Sequence, residues 1–139
     1  MSDSVKKYFE MTSTSDTKTI YPGDIKITIN KSQLDFNKSF PIISKEFKNI
    51  QEEQLELFSK KMMDYGLGNI SLGGNLENED DINYALQGIQ IRMNDKINRL
   101  KNLLKNGKNY VENESIEDTL IDISNYGIIG LLLGRKKWK

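Results

Sequence analysis

The sequence predicts a mainly α fold, a three-helix core bundle over residues 42–139, preceded by an N-terminal arm over 1–41 whose one candidate for regular structure is a short β-hairpin at 19–30. Three observations carry that prediction. Apolar residues from Ile82 to Leu104 recur at steps of three and four, the stretch from Pro41 to Tyr65 repeats the pattern more loosely, and Ser115 opens a third apolar run. At 139 residues the chain is read as one domain.

In chain order, residues 1 to about 18 are rich in Ser, Thr and Asp without apolar period, and little structure is expected there. Tyr21-Pro22-Gly23-Asp24 is a turn signal, and Ile25, Ile27 and Ile29 alternate with Lys26, Thr28 and Asn30 as in a half-buried strand. Leu34, Phe36 and Phe40 lead into Pro41, after which Ile43, Phe47, Ile50, Leu57, Phe58, Met62 and Tyr65 define the first long helix, closed by Gly66. The Gly-, Asn- and acid-rich segment from Gly66 to Asp81 reads as a loop. The second helix follows from Ile82 and ends at Gly107. Ser115-Ile116-Glu117-Asp118 fits a capping box and starts the third, which runs to about Leu133. The closing Arg135-Lys136-Lys137-Trp138-Lys139 reads as a frayed basic tail, the alternative being a fourth site at Trp138 among its cations.

Composition narrows the chemistry. Without cysteine or histidine there is no Ser-His or Cys-His nucleophile, no disulfide framework and no His/Cys zinc site. Any catalysis must use carboxylates, Lys, Tyr or an oxygen-bound metal. The first residues lack the apolar run of a signal peptide and no stretch reaches the ~18 apolar residues of a membrane span, so an intracellular protein without a membrane partner is expected. The net charge of +0 is uneven along the chain: residues 91–111 carry Arg92, Lys96, Arg99, Lys101, Lys105 and Lys108 against Asp95 alone, and 112–122 carry only acids. That suits a compact site holding anion and cation together better than generic nucleic-acid binding. Mutual neutralisation across a helix contact is the competing reading.

Three clusters are candidates for chemistry. Arg92, Asp95, Lys96 and Arg99 fall on one helical stripe able to grip phosphate oxygens; the alternative is a solvated face. Asp118, Asp122 and Asn125 share one face of the third helix, with Glu114 just ahead of it, an oxygen-rich set suited to Mg²⁺ with Asp118 and Asp122 as ligands. The alternative is a capping acid and an acid paired with the basic stripe. Asn125 argues for more, because it stands where this polar row runs into an apolar stretch and a buried amide needs a partner. Lys61, Asp64 and Tyr65 at the end of the first helix form the third cluster.

The blocks Lys60-Lys61-Met62-Met63-Asp64-Tyr65-Gly66, Arg92-Met93-Asn94-Asp95-Lys96-Ile97-Asn98-Arg99-Leu100 and Glu114-Ser115-Ile116-Glu117-Asp118-Thr119-Leu120-Ile121-Asp122-Ile123-Ser124-Asn125-Tyr126, in this order, resemble the nucleotide-modification-associated domain family of phage proteins. The resemblance implies a helical protein of the infected bacterial cytoplasm, associated with nucleotide metabolism or modification. The layout is also similar to the all-α nucleoside triphosphate pyrophosphatases of the MazG and dimeric dUTPase type, which hold Mg²⁺ on E-x-x-E and E-x-x-D pairs. Glu53 and Glu56 fit the first pair, but Thr119 stands three positions before Asp122 where the second needs Glu.

The resulting expectation is a nucleotide or nucleoside-phosphate site with Lys61, Asp64, Tyr65, Arg92, Asp95, Lys96, Arg99 and Asn125 as binding residues. If the ligand is hydrolysed, Asp118, Asp122 and Glu114 are the catalytic carboxylates and Mg²⁺ the cofactor. A non-catalytic sponge for a host nucleotide signal, acting in counter-defence, and a structural phage protein are the alternatives. The thin core and Gly127, Gly130 and Gly134 on an apolar helix predict a homo-oligomer.

Overall fold

The computed structural model describes residues 17–20, 27–111 and 114–139. Two short strands, β1 (Thr17–Ile20) and β2 (Ile27–Asn30), pair antiparallel with Thr17 opposite Asn30 and Ile20 opposite Ile27. The expected turn at Tyr21 to Asp24 and the arm up to residue 16 lie outside the described residues. The rest is mainly helical: α1 (Lys31–Ser39), α2 (Pro41–Tyr65), α3 (Gly68–Ser71), α4 (Glu79–Asn106) and α5 (Ile116–Gly134).

The three long helices begin and end where the sequence sets signals. Pro41 opens α2 at its first turn, where a missing N–H costs nothing, and Gly66 closes it at φ 66°. α4 starts at Glu79, three residues ahead of the expected Ile82, because Asn78 caps it, its side chain accepting from the Asp80 N–H at 2.9 Å; Gly107 ends it in the left-handed conformation. The capping box of α5 is formed in full: the Asp118 N–H donates to Ser115 Oγ at 3.0 Å and the Ser115 N–H to Asp118 Oδ2 at 2.7 Å.

Two elements correct the sequence reading. Residues 31–39, expected only as a run-in to Pro41, form α1, because Asn30 Oδ1 accepts from the Ser32 N–H at 3.0 Å while Gln33 Oε1 accepts from the Asn30 N–H at 3.3 Å. Within the expected loop, α3 forms a single turn that buries Ile70 before Leu72 turns the chain at φ 51°.

Ala85 and Ile89 from the start of α4 meet Ile129 and Leu133 from the end of α5 in one buried cluster, and Arg99 late in α4 reaches Thr119 early in α5, so the two helices run antiparallel. The C-terminal half of α2 closes against this pair: Phe58 and Met62 pack on the cluster, and the buried Gln54 amide donates to Ser124 Oγ. The first half of α2 leaves Ile43, Phe47 and Ile50 exposed. No helix among the described residues is long and apolar enough to cross a membrane.

The tail is not frayed. Lys136 N–H donates to Leu133 O at 2.9 Å and Lys137 N–H to Leu132 O at 2.8 Å, the two bonds of a Schellman motif, with Lys136 at φ 53° in the place glycine usually takes. The chain therefore reverses and returns Trp138 to the protein, 6% exposed, with Nε1 donating to Leu67 O at 3.1 Å and its ring edge-on to Phe58 at 6.2 Å. Lys139 pairs with Glu77 at 3.3 Å.

Candidate functional site

The end of α2, the turn α3, the middle of α4, the middle of α5 and the returning Trp138 enclose a cavity of about 390 Å³. Its apolar wall includes Phe58, Met62, Ile70, Ile129 and Trp138; its polar side includes Lys61, Tyr65, Asn69, Arg92, Lys96, Glu114, Asp122 and Asn125. Helical spacing explains the convergence: Arg92 and Lys96 are one turn apart on α4, and Asp122, Asn125 and Ile129 follow one stripe of α5.

Asp122 lies between two lysines, 2.5 Å from Lys61 Nζ and 2.9 Å from Lys96 Nζ. Burial alone would raise its pKa, but the hydrogen bonds and charges of Lys61 and Lys96 together hold it below the usual carboxylate value. Lys96 is correspondingly raised, first by its hydrogen bond to Asp122. Arg92 is half-buried and has no carboxylate partner among the described residues. One of its terminal nitrogens donates to Asn69 O at 3.0 Å and Asn69 Oδ1 at 3.3 Å, and the other N–H groups of the fork make no hydrogen bond among the described residues.

Asn125 is the exception in an otherwise satisfied interior. It is 6% exposed, it lines the cavity, and among the described residues neither its amide nitrogen nor its amide oxygen has a hydrogen-bond partner. The other buried polar side chains are bonded: Ser44 to Asn37, Gln54 to Ser124, and Thr119 to Ser115 O at 3.1 Å. An unpartnered buried amide costs about 1–3 kcal/mol, a cost that a ligand bearing a matching donor and acceptor would remove.

Of the residues singled out from sequence, Lys61, Tyr65, Arg92, Lys96, Glu114, Asp122 and Asn125 come together here. Asp64 and Asp95 are exposed and lie outside the lining. Arg99 also lies outside it and is occupied within the chain: Nε is 3.1 Å from Glu114 Oε2, Nη2 donates to Glu114 O at 2.6 Å, and Nη1 donates to Thr119 Oγ1 and to Ser115 O at 3.3 Å. Asp118 is exposed, does not line the cavity and serves the cap of α5, where the Ser115 backbone bond first, then its hydroxyl, holds the carboxyl below its ordinary pKa. Among the described residues no group of three acidic, histidine or cysteine side chains is placed to hold a metal ion. Glu53 and Glu56 are exposed, and Glu56 pairs with Lys60 at 2.6 Å one turn along the same helix.

Asn69 is not singled out in the sequence, and Trp138, weighed there as a fourth site, reads instead as part of a frayed tail. Asn69 lies in a Gly-rich segment with no apolar period, and the return of Trp138 depends on a Schellman turn with lysine at the position where glycine would have signalled it.

No curated protein and no solved structure matches the chain. A family model described as "Nucleotide modification associated domain 1" matches residues 61–133, a span that holds every polar residue of the cavity and stops short of Trp138. The match covers more than half of the chain, which therefore belongs to that family.

Proposed function

We propose that the cavity of this nucleotide-modification-associated domain binds a nucleotide, and that binding rather than hydrolysis is its task. The observation that carries the reading is Asn125: a carboxamide buried just behind the cavity lining, its donor and acceptor both without a partner among the described residues, beside an uncompensated Arg92 fork. A carboxamide offers one donor beside one acceptor, the pattern of a nucleobase edge. A guanidinium fork grips phosphate oxygens, and Phe58, Tyr126 and Trp138 supply the aromatic wall against which a base packs.

Hydrolysis has weaker support. A general base must be free to take a proton near neutral pH, whereas Asp122 is clamped by two lysines, Glu114 pairs with Arg99 and Asp118 serves the helix cap. The test is a titration with a panel of nucleotides followed by the fluorescence of Trp138, the sole tryptophan. At least one nucleotide should bind saturably, and Arg92→Ala should weaken it by about 1.5–3 kcal/mol, the worth of a charged hydrogen bond, with the helical dichroism of the folded protein unchanged. Equal binding by parent and Arg92→Ala, or release of product at the rate of ligand turnover, would refute the reading.

A further inference from the structure

The charges lining the cavity can be matched against one another, and the remainder narrows the ligand. Glu114 lies between Arg99, which approaches it at 3.1 Å from outside the lining, and Lys96, whose Nζ is 3.8 Å from its other oxygen. Asp122 accepts from both Lys61 and Lys96 but neutralises only one of them. Arg92 has no carboxylate partner among the described residues. The lining itself has three cations, Lys61, Arg92 and Lys96, against two carboxylates, Glu114 and Asp122, and with Arg99 counted beside Glu114 the excess is two positive charges, while a phosphate monoester carries roughly −1.5 to −2 at neutral pH. The cavity, about 390 Å³, stands at the lower end of the ~300–1,000 Å³ typical of ligand pockets. It has room for a base, a sugar and one phosphate.

Resting on the nucleotide-binding reading above, we infer that the ligand is a nucleoside monophosphate, its base edge on the Asn125 carboxamide and its single phosphate on Arg92 with one lysine of the Lys61–Asp122–Lys96 cluster. Each part of that ligand answers a separate feature. A sugar phosphate would leave Asn125 unpartnered, a nucleoside would leave the two excess cations unmatched, and a triphosphate brings anionic charge beyond what these side chains balance. Because protein cations supply the whole counter-charge, no divalent ion is needed for binding.

The full-length protein is titrated in EDTA with the nucleoside 5′-monophosphates of all common bases, the matching nucleosides and triphosphates, and inorganic phosphate, using Trp138 fluorescence and calorimetry. The expected result is one monophosphate bound at least tenfold more tightly than its nucleoside and its triphosphate, with affinity unchanged on adding Mg²⁺. Asn125→Leu should weaken that monophosphate at least tenfold while leaving weak binding of inorganic phosphate as it was. Triphosphates bound more tightly than monophosphates, or binding that requires Mg²⁺, would overturn this inference and leave the broader nucleotide reading standing. If no nucleotide of any class binds, or if inorganic phosphate alone does, both are overturned.

Discussion

Replacing Asn125 by leucine separates stability from binding. In the free protein its amide is 6% exposed, with both polar atoms unpartnered, and an unsatisfied buried polar group costs about 1–3 kcal/mol. Leucine removes that cost, and its extra volume has the adjoining cavity of about 390 Å³ to extend into. The variant should therefore be more stable than the parent by about 1–3 kcal/mol, which for a chain of this length raises the melting temperature by a few degrees per kcal/mol. At the same time it should lose the ligand. Urea denaturation followed by far-ultraviolet dichroism gives the first quantity, and titration with the cognate nucleotide gives the second. A variant less stable than the parent by 1 kcal/mol or more, with its affinity intact, would show that the amide is satisfied within the free protein and would refute the argument built on it.

Arg99→Ala should lower stability by about 1.5–3 kcal/mol, since one guanidinium ties the end of α4 to Glu114, Ser115 and Thr119 at the start of α5; an unchanged urea midpoint would show the clip to be inert. Trp138→Ala should cost about 3–5 kcal/mol, as for other buried tryptophans, whereas a frayed tail would lose nothing. For Asp122 the sign follows from a folded-state pKa held below its unfolded value: its stabilisation is present above the ordinary carboxylate pKa of about 3.9 and is lost as pH falls through the lower folded value. Asp122→Asn should thus be less stable than the parent at pH 7, with the gap closing on acid titration below about pH 4; a gap that persists at low pH would point elsewhere. The exposed Ile43, Phe47 and Ile50 stripe on α2, with open space among the described residues where a Cβ on Gly127 of α5 would stand, predicts self-association. Light scattering at micromolar concentration showing only a 16.0 kDa species would refute it.

Legibility in the sequence followed the range of the interactions. Helix ends fixed by neighbours within four residues, at Gly66, Gly107 and Ser115, stood where their signals placed them. Lys61, Arg92, Lys96, Asp122 and Asn125 were found because polar residues beside an apolar helical seam converge on whatever the seam packs against. What the helical period left open was which carboxylate meets which cation. Asp118 and Asp122 are one turn apart on a single helix, yet one serves its own cap and the other two lysines from different helices. Asp122 thus took the competing role, an acid paired with the basic stripe. α1 was missed because its capping box uses Asn and Gln rather than the usual Ser or Thr with Glu, and its few apolar residues give no repeat.

The contact between Trp138 and Leu67 joins residues 71 positions apart, while α4 and α5 are neighbours joined by a short connection. Closing a long loop costs more entropy than closing a short one, and local pairings form first. The α4–α5 hairpin should therefore assemble early in refolding, with the tail docking last and the cavity complete only then. In stopped-flow refolding, helical dichroism should recover ahead of tryptophan fluorescence, so a newly made chain passes through a helical stage before it has a finished place for its ligand.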